Sequence, residues 1–192
     1  MNKYVQMLIF VVIMGALTSV LLLGMESLTA DQIEANDAAK LKSRVLDGFD
    51  VSYSDTTIND VFEDNVSVIE LEEYTYYQHE ASGALTIYFE GGGVWGPITG
   101  LLTLKSDLET IQYITILEQE ETPGLGGVVA ERPYLETFEN KQMTVDISKT
   151  ANISMANEVD AITGATRTSD AFENILNDTY GTLIPIWEAN QE

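Results

Sequence analysis

Residues 4–23 read YVQMLIFVVIMGALTSVLLL, twenty positions without a charge. At about 1.5 Å per helical residue the run spans roughly 30 Å, the thickness of a bilayer's hydrocarbon core. A cleaved signal peptide has a shorter apolar core, about 7–15 residues, and a small-x-small cleavage site. The nearest candidate here ends at Leu28-Thr29-Ala30 and puts leucine where a small residue is expected. An uncleaved transmembrane anchor over 4–24 is the better reading. Ile33, Ala38, Ala39, Leu41, Val45 and Leu46 then predict a helix leaving the membrane over 30–46, ended by Gly48. Residues 50–65 are polar and irregular, with room for a short turn of helix at 59–65. Together 25–64 form a helical membrane-proximal segment.

Beyond residue 65 the pattern shortens. Residues 66–71, 73–78, 84–89, 98–104 and 110–117 are short β-rich runs, several of them separated by Gly, Asn, Asp or Ser. Lys105-Ser106-Asp107 suits a hairpin connection. Residues 123–127 form a glycine-rich loop. Residues 131–139 predict a second helix with Pro133 in its first turn, and 159–169 another loop. Phe172, Ile175, Leu176, Tyr180 and Leu183 repeat at three- and four-residue spacing, one face of a helix. Ser169 or Asp170 is placed to cap it. Strands in the middle and helices at both ends predict a single α+β domain over 65–192.

Charge adds an orientation and some exclusions. All 31 acidic residues lie from Glu26 onward, and of nine basic residues only Lys3 precedes the apolar run. The remainder holds 31 acids against 8 bases, a formal charge of −23. With Lys3 and the terminal amine on one side, the positive-inside rule puts the N-terminus in the cytoplasm and the domain outside. The acidic balance argues against nucleic acid, whose phosphates it repels, and fits plain solubility or salty surroundings. No cysteine is present, which removes disulfides, thiolate metal sites and cysteine nucleophiles.

Three segments carry candidate chemistry: 91–100 (GGGVWGPITG), 121–127 (ETPGLGG) and 160–169 (DAITGATRTS). Each alone is explained as a turn, with Trp95 a core residue and Thr166 a loop threonine ahead of a helix. Together, three such loops in a small domain are able to line one pocket and let backbone approach a planar ring or a phosphate. Gly164 and Ala165 leave little bulk around the Thr166 hydroxyl. The helix that follows offers free N–H groups and a positive dipole end. Arg167 is the sole positive charge in the last 43 residues. An anion at Thr166 is therefore reasonable in an otherwise acidic chain. The lone His79 follows Tyr74, Tyr76 and Tyr77, and all four read as structural or surface residues.

Asp160-Ala161-Ile162-Thr163-Gly164-Ala165-Thr166 resembles the flavinylation motif D-x-x-[ST]-G-A-[ST] of the FMN-binding domain family. That family includes NqrC of the sodium-pumping NADH:quinone reductase (Nqr) and RnfG of the related Rnf complex. Glu121 to Gly126 is similar to its E-T-P-G-L-G loop. Gly93 to Ile98 is similar to its G-L-W-G-P-I segment, with Val94 in place of leucine. The resemblance implies FMN joined by a phosphoester to Thr166, made by a dedicated flavin transferase from FAD with magnesium, with Asp160 as the recognition acid. It implies further cofactor contacts from Thr163, Gly164, Ala165, Arg167 and Thr168, from Trp95 and Gly96, and from Thr122, Pro123, Gly124, Leu125 and Gly126. Neither a catalytic acid–base residue nor a metal ligand is called for.

The implied function is electron transfer. The chain would be a redox component beside other subunits of an Nqr- or Rnf-type complex in the inner (cytoplasmic) membrane, with one span and an extracytoplasmic FMN-binding domain. The stretch between anchor and first motif is short for an Nqr-type chain. A stand-alone extracytoplasmic flavoprotein is the alternative, and an interaction module without flavin a third reading.

Overall fold

The computed structural model describes residues 2–149 and 155–191. The chain divides into two compact units, 1–41 and 42–192.

Helix α1 (Lys3–Gly48) runs unbroken for 46 residues. The expected separation into an anchor and a second helix starting near residue 30 does not occur. No proline lies within it, and Gly15 and Gly24 in its interior each cost only about 1 kcal/mol relative to alanine. In the first unit its apolar side chains are almost all exposed, Phe10, Val20, Leu21, Leu22 and Leu23 among them. Among the described residues it is the one helix long and apolar enough to cross a membrane. A sleeve of that size needs lipid or another apolar surface around it.

The second unit is α+β. It opens with the last turns of α1, continues with α2 (Ile58–Asn65), and then builds a five-stranded antiparallel meander. The strands are β1 (Val66–Leu71), β2 (Tyr74–His79), β3 (Leu85–Gly92), β4 (Pro97–Leu104) and β5 (Ile111–Glu118), paired in chain order. All five expected strands are present, shifted by at most a few residues at their ends. The 3₁₀ turn Gly126–Ala130 follows, then α3 (Arg132–Leu135) and a second 3₁₀ turn, Glu136–Phe138. The helix expected over 131–139 is thus interrupted after one turn of α-helix.

The sheet is covered on both faces. On one, Leu85, Ile87, Phe89, Ile98, Leu102, Leu104 and Ile114 meet Phe172, Leu176 and Trp187 of α4 (Thr166–Ala189). Phe172 meets Phe89 and Phe138 edge-on, at 6.0 and 5.6 Å between ring centroids. The opposite face carries the buried Thr86 and Thr103, hydroxyls 2.7 Å apart, with Leu101. There the end of α1 and the segment after it supply Val45, Leu46 and Phe49, and α2 supplies Ile58 and Phe62, all buried. Gln112 Nε2 donates to the Gly48 carbonyl (2.9 Å). Two-sided burial explains why β4 reads ITGLLTL rather than alternating. His79 stacks on Phe49 at 5.1 Å, and the Tyr76 hydroxyl donates to the Leu183 carbonyl (2.9 Å). Both residues serve the fold.

Two short strands were not legible in the sequence. β6 (Asp146–Ser148) and β7 (Glu158–Asp160) pair in parallel. Three residues are too few to show an alternation. Asn177 of α4 holds this pair from beside it: its side-chain amide accepts from the Val145 N–H and donates to the Val145 carbonyl, each at 2.8 Å. Glu173 Oε2 accepts from the Ile147 N–H (2.7 Å). The pair delivers Asp160 to the start of the third glycine segment.

Candidate functional site: a cleft where three glycine segments meet

Each of the three segments is a tight turn. The first is the β3–β4 hairpin, closed by the Gly93 N–H donating to the Gly96 carbonyl (2.8 Å), with Val94 and Trp95 at the tip. In the second, Leu125 N–H donates to the Thr122 carbonyl (3.1 Å) across Pro123-Gly124. In the third, Ala165 N–H donates to the Ile162 carbonyl (3.0 Å) across Thr163-Gly164. Gly164 adopts φ 80° and Gly124 φ 74°. A turn with its third residue in the left-handed region demands glycine there, because a Cβ would clash with the backbone.

The turns line one cleft of about 340 Å³, with Val94, Trp95, Thr122, Leu125, Gly126, Gly164, Thr166 and Arg167 in its walls. Trp95 is 71% exposed and Leu125 46% exposed. The tryptophan is therefore a free apolar surface, not the core residue that a plain turn reading allows. Ala165 and Thr168 line the cleft more deeply. Gly96, Pro123 and Gly124 shape the loops without lining it. Asp160 and Thr163 face a neighbouring cleft of about 460 Å³ together with Ser148 and Lys149. Thr166 lies on both clefts.

Thr166 is the first residue of α4, a 24-residue helix. The loop expected to run through Ser169 ends at Ala165 instead, and neither Ser169 nor Asp170 caps the helix. Ser169 is buried inside the first turn, where its Oγ accepts from the Ile162 N–H (2.9 Å) and donates to the Ala165 carbonyl (3.2 Å). That back-bond ties the turn to the helix. Asp170 pairs with Lys149 Nζ at 2.8 Å. The N-cap is Ala165, which offers no side-chain cap. The helix end therefore keeps its positive dipole and unsatisfied N–H groups toward the Thr166 hydroxyl. Arg167 is exposed beside it.

Behind the cleft sits Glu121, only 4% exposed. One carboxylate oxygen accepts from the N–H groups of Val94 (2.7 Å) and Trp95 (3.0 Å), and the other from the Thr168 hydroxyl (2.7 Å). Burial alone would raise its pKa. The Thr168 hydroxyl and the two backbone N–H groups outweigh burial and hold the carboxyl below its ordinary value. Gly126 is pressed so close that a Cβ there would run into both the Glu121 carboxylate and the Thr168 hydroxyl. Glu121 is absent from the candidates drawn from sequence. An acid beside a turn reads as a solvated surface residue, and its burial depends on contacts from 27 residues upstream and 47 downstream.

Residues 93–181, which hold the closing strands, the three turns and most of α4, match the family described as FMN-binding domain. Among curated relatives, the chain is 32% identical over 99 residues to NqrC, the C-type component of the Na(+)-translocating NADH-quinone reductase, of Haemophilus ducreyi, covering 48% of this chain and 38% of the relative. It is 31% identical over 134 residues to the same component from Pseudomonas aeruginosa, covering 62% and 51%. The chain thus spans about two fifths to half of the length of these two relatives. Among solved structures, NqrC of Shewanella oneidensis superposes with a TM-score of 0.69 at 18% identity, covering 77% of this chain and 93% of that one. Its counterpart from Parabacteroides distasonis gives 0.68 at 18%, covering 80% and 94%. These two likenesses establish the fold.

Proposed function

We propose that this chain is a membrane-anchored electron carrier that holds FMN by a phosphoester on Thr166 and works within a complex like the Na(+)-translocating NADH-quinone reductase. The observation that carries the reading is the meeting of three separate glycine segments around one cleft with the Thr166 hydroxyl on its wall. The residues present suit the group. The exposed Trp95 and Leu125 offer apolar surface to a flat ring. The uncapped N-terminus of α4 and Arg167 suit a phosphate. When bound, FMN supplies one- and two-electron chemistry that no side chain here provides. The chain's own part is to tether, orient and shield, so no general base is needed.

Asp160, at the end of β7 and on the neighbouring cleft with Thr163, would be presented to a flavin transferase. Helix α1 would anchor the chain over 4–24, with 25–64 proximal to the membrane and 65–192 carrying the flavin outside the cytoplasm. Ion translocation would fall to other subunits, because this span carries no charge.

The test is the intact mass of the full chain made with and without a flavin transferase. An FMN adduct on the peptide holding Thr166, kept in Thr166→Ser and lost in Thr166→Ala, is expected. An unmodified chain, or an adduct that survives Thr166→Ala, would overturn the reading. Multi-span partners co-purifying with the flavinylated chain would support the complex, whereas a flavinylated chain that purifies alone would favour a stand-alone carrier.

A further inference from the structure

We propose that Glu121 is a positioning residue that assembles the flavin cleft before any flavin arrives, by clamping the β3–β4 hairpin tip to the first turn of α4. The inference rests on the reading of the cleft as a flavin site, but the clamp itself is a property of the bare chain.

The hairpin tip has little else to hold it. Val94 and Trp95 project beyond the last paired residues, Gly92 and Pro97, and Trp95 is the most exposed aromatic side chain of the second unit. The N–H groups of Val94 and Trp95 both converge on Glu121 Oε1, while Oε2 takes the Thr168 hydroxyl. Thr168 lies two residues after Thr166 in the same helical turn. One carboxylate therefore fixes the distance between the aromatic wall of the cleft and the attachment point. The arrangement is also closely packed. Added side-chain atoms at Gly93 or Gly126 would collide with opposite oxygens of Glu121. The two glycines thus frame a seat for this carboxylate, and a buried carboxylate with three donors is rigid as well as ionised.

The cleft is formed by loops, which are ordinarily the most mobile part of a fold. A ring held only by its phosphate tether would otherwise have to order those loops itself. Charge and clamp are separable by substitution. Glu121→Gln keeps the shape: its oxygen still accepts from Val94 and Trp95, and its amide donates to the Thr168 hydroxyl, which turns to accept. Glu121→Ala removes all three bonds. Thr168→Val removes the link to α4 alone.

The experiment is residue-resolved hydrogen exchange on the flavin-free full chain in detergent. In the parent the Val94 and Trp95 amides are expected to be protected. In Glu121→Ala they exchange at least tenfold faster, with β4 amides such as Leu102 unchanged. Glu121→Gln keeps most of the protection, and Thr168→Val loses part of it. The second arm is the visible circular dichroism of the flavinylated chain. Glu121→Ala is expected to keep a covalent adduct but to lose most of the induced flavin signal, and Glu121→Gln to restore it. Unchanged exchange at Val94 and Trp95 in Glu121→Ala overturns the clamp, as does an undiminished flavin signal. If Glu121→Ala does not fold, Thr168→Val and Glu121→Gln decide by the same two readouts. Failure of the parent to take flavin would sink the functional reading, yet leave the exchange arm to judge the clamp.

Discussion

Glu121 ionises more readily than an ordinary glutamate, and the sign of that shift fixes a pH dependence. Its ordinary value is 4.5 and the folded value lies lower, because three donors stabilise the anion against the cost of burial. The folded state therefore binds the proton less tightly than the unfolded chain. The stabilisation is fully present above about pH 4.5 and is lost as pH falls through the folded value. Urea unfolding of the parent between pH 6 and pH 3 should show stability falling in that window. In Glu121→Gln the fall should be shallower, since one of the groups driving it is gone. An equal slope in parent and variant would place the acid sensitivity elsewhere, for instance at Asp107, whose pKa is also held low. The residue scale also shows where sequence reading stops. Gly164 was legible because its type matches a local demand, a left-handed turn; Thr166 stood out only through the motif it closes, and was placed in a loop rather than at the helix start it occupies. Glu121 was not, because its role is defined by partners brought in from two other segments.

Among the elements, the strands and the closing helix were readable because each is long enough to show a period. β6 and β7 were not, and their placement comes from α4. Asn177 mimics a neighbouring strand by pairing with both backbone groups of Val145. Asn177→Ala should cost about 1–3 kcal/mol, the penalty for leaving buried backbone groups unpaired, measured as a lower urea midpoint. Exchange at the Val145 amide should rise with it. A midpoint within experimental error of the parent would show that Glu173, the pairing with β7 and packing suffice to hold β6. The start of α4 was misplaced for a related reason. Ser169 has the composition of a cap, yet its hydroxyl bonds back to Ala165, which leaves the true end uncapped and Thr166 in the first position. That displacement moves the hydroxyl from a loop onto the rim of a rigid helix.

For the whole molecule, the dominant fact is a charge of −23 beyond the apolar run. Each electron that reaches a flavin without a proton adds one more negative charge to that field. The flavin potential should therefore be lower at low salt and rise as salt screens the surface, the screening length falling from about 30 Å at 0.01 M to about 10 Å at 0.1 M. Redox titration of the flavinylated chain at those two ionic strengths checks this, and an identical potential would remove the idea. The charge and the long apolar helix were plain in the sequence because they are sums and runs. The second covered face of the sheet was not, since no local pattern signals that the end of an anchor helix will pack on the domain that follows it.

Val45 and Leu46 are both fully buried, although they belong to the helix that begins at Lys3. Each contributes on the order of 1.5–3 kcal/mol by burial. Where the chain can be cut is thereby restricted. A protease cutting just after residue 41 should release a soluble, folded domain, whereas a cut after residue 49 should strip the floor from one face of the sheet and leave an aggregating remnant. Limited proteolysis followed by size-exclusion chromatography of fragments starting at 42 and at 50 separates the two cases. A stable, monomeric fragment from 50 onward would show that the face tolerates exposure. Otherwise a folded fragment can be released only by cuts ahead of the buried Val45 and Leu46, and a cut a single helical turn or two further on destroys what it frees.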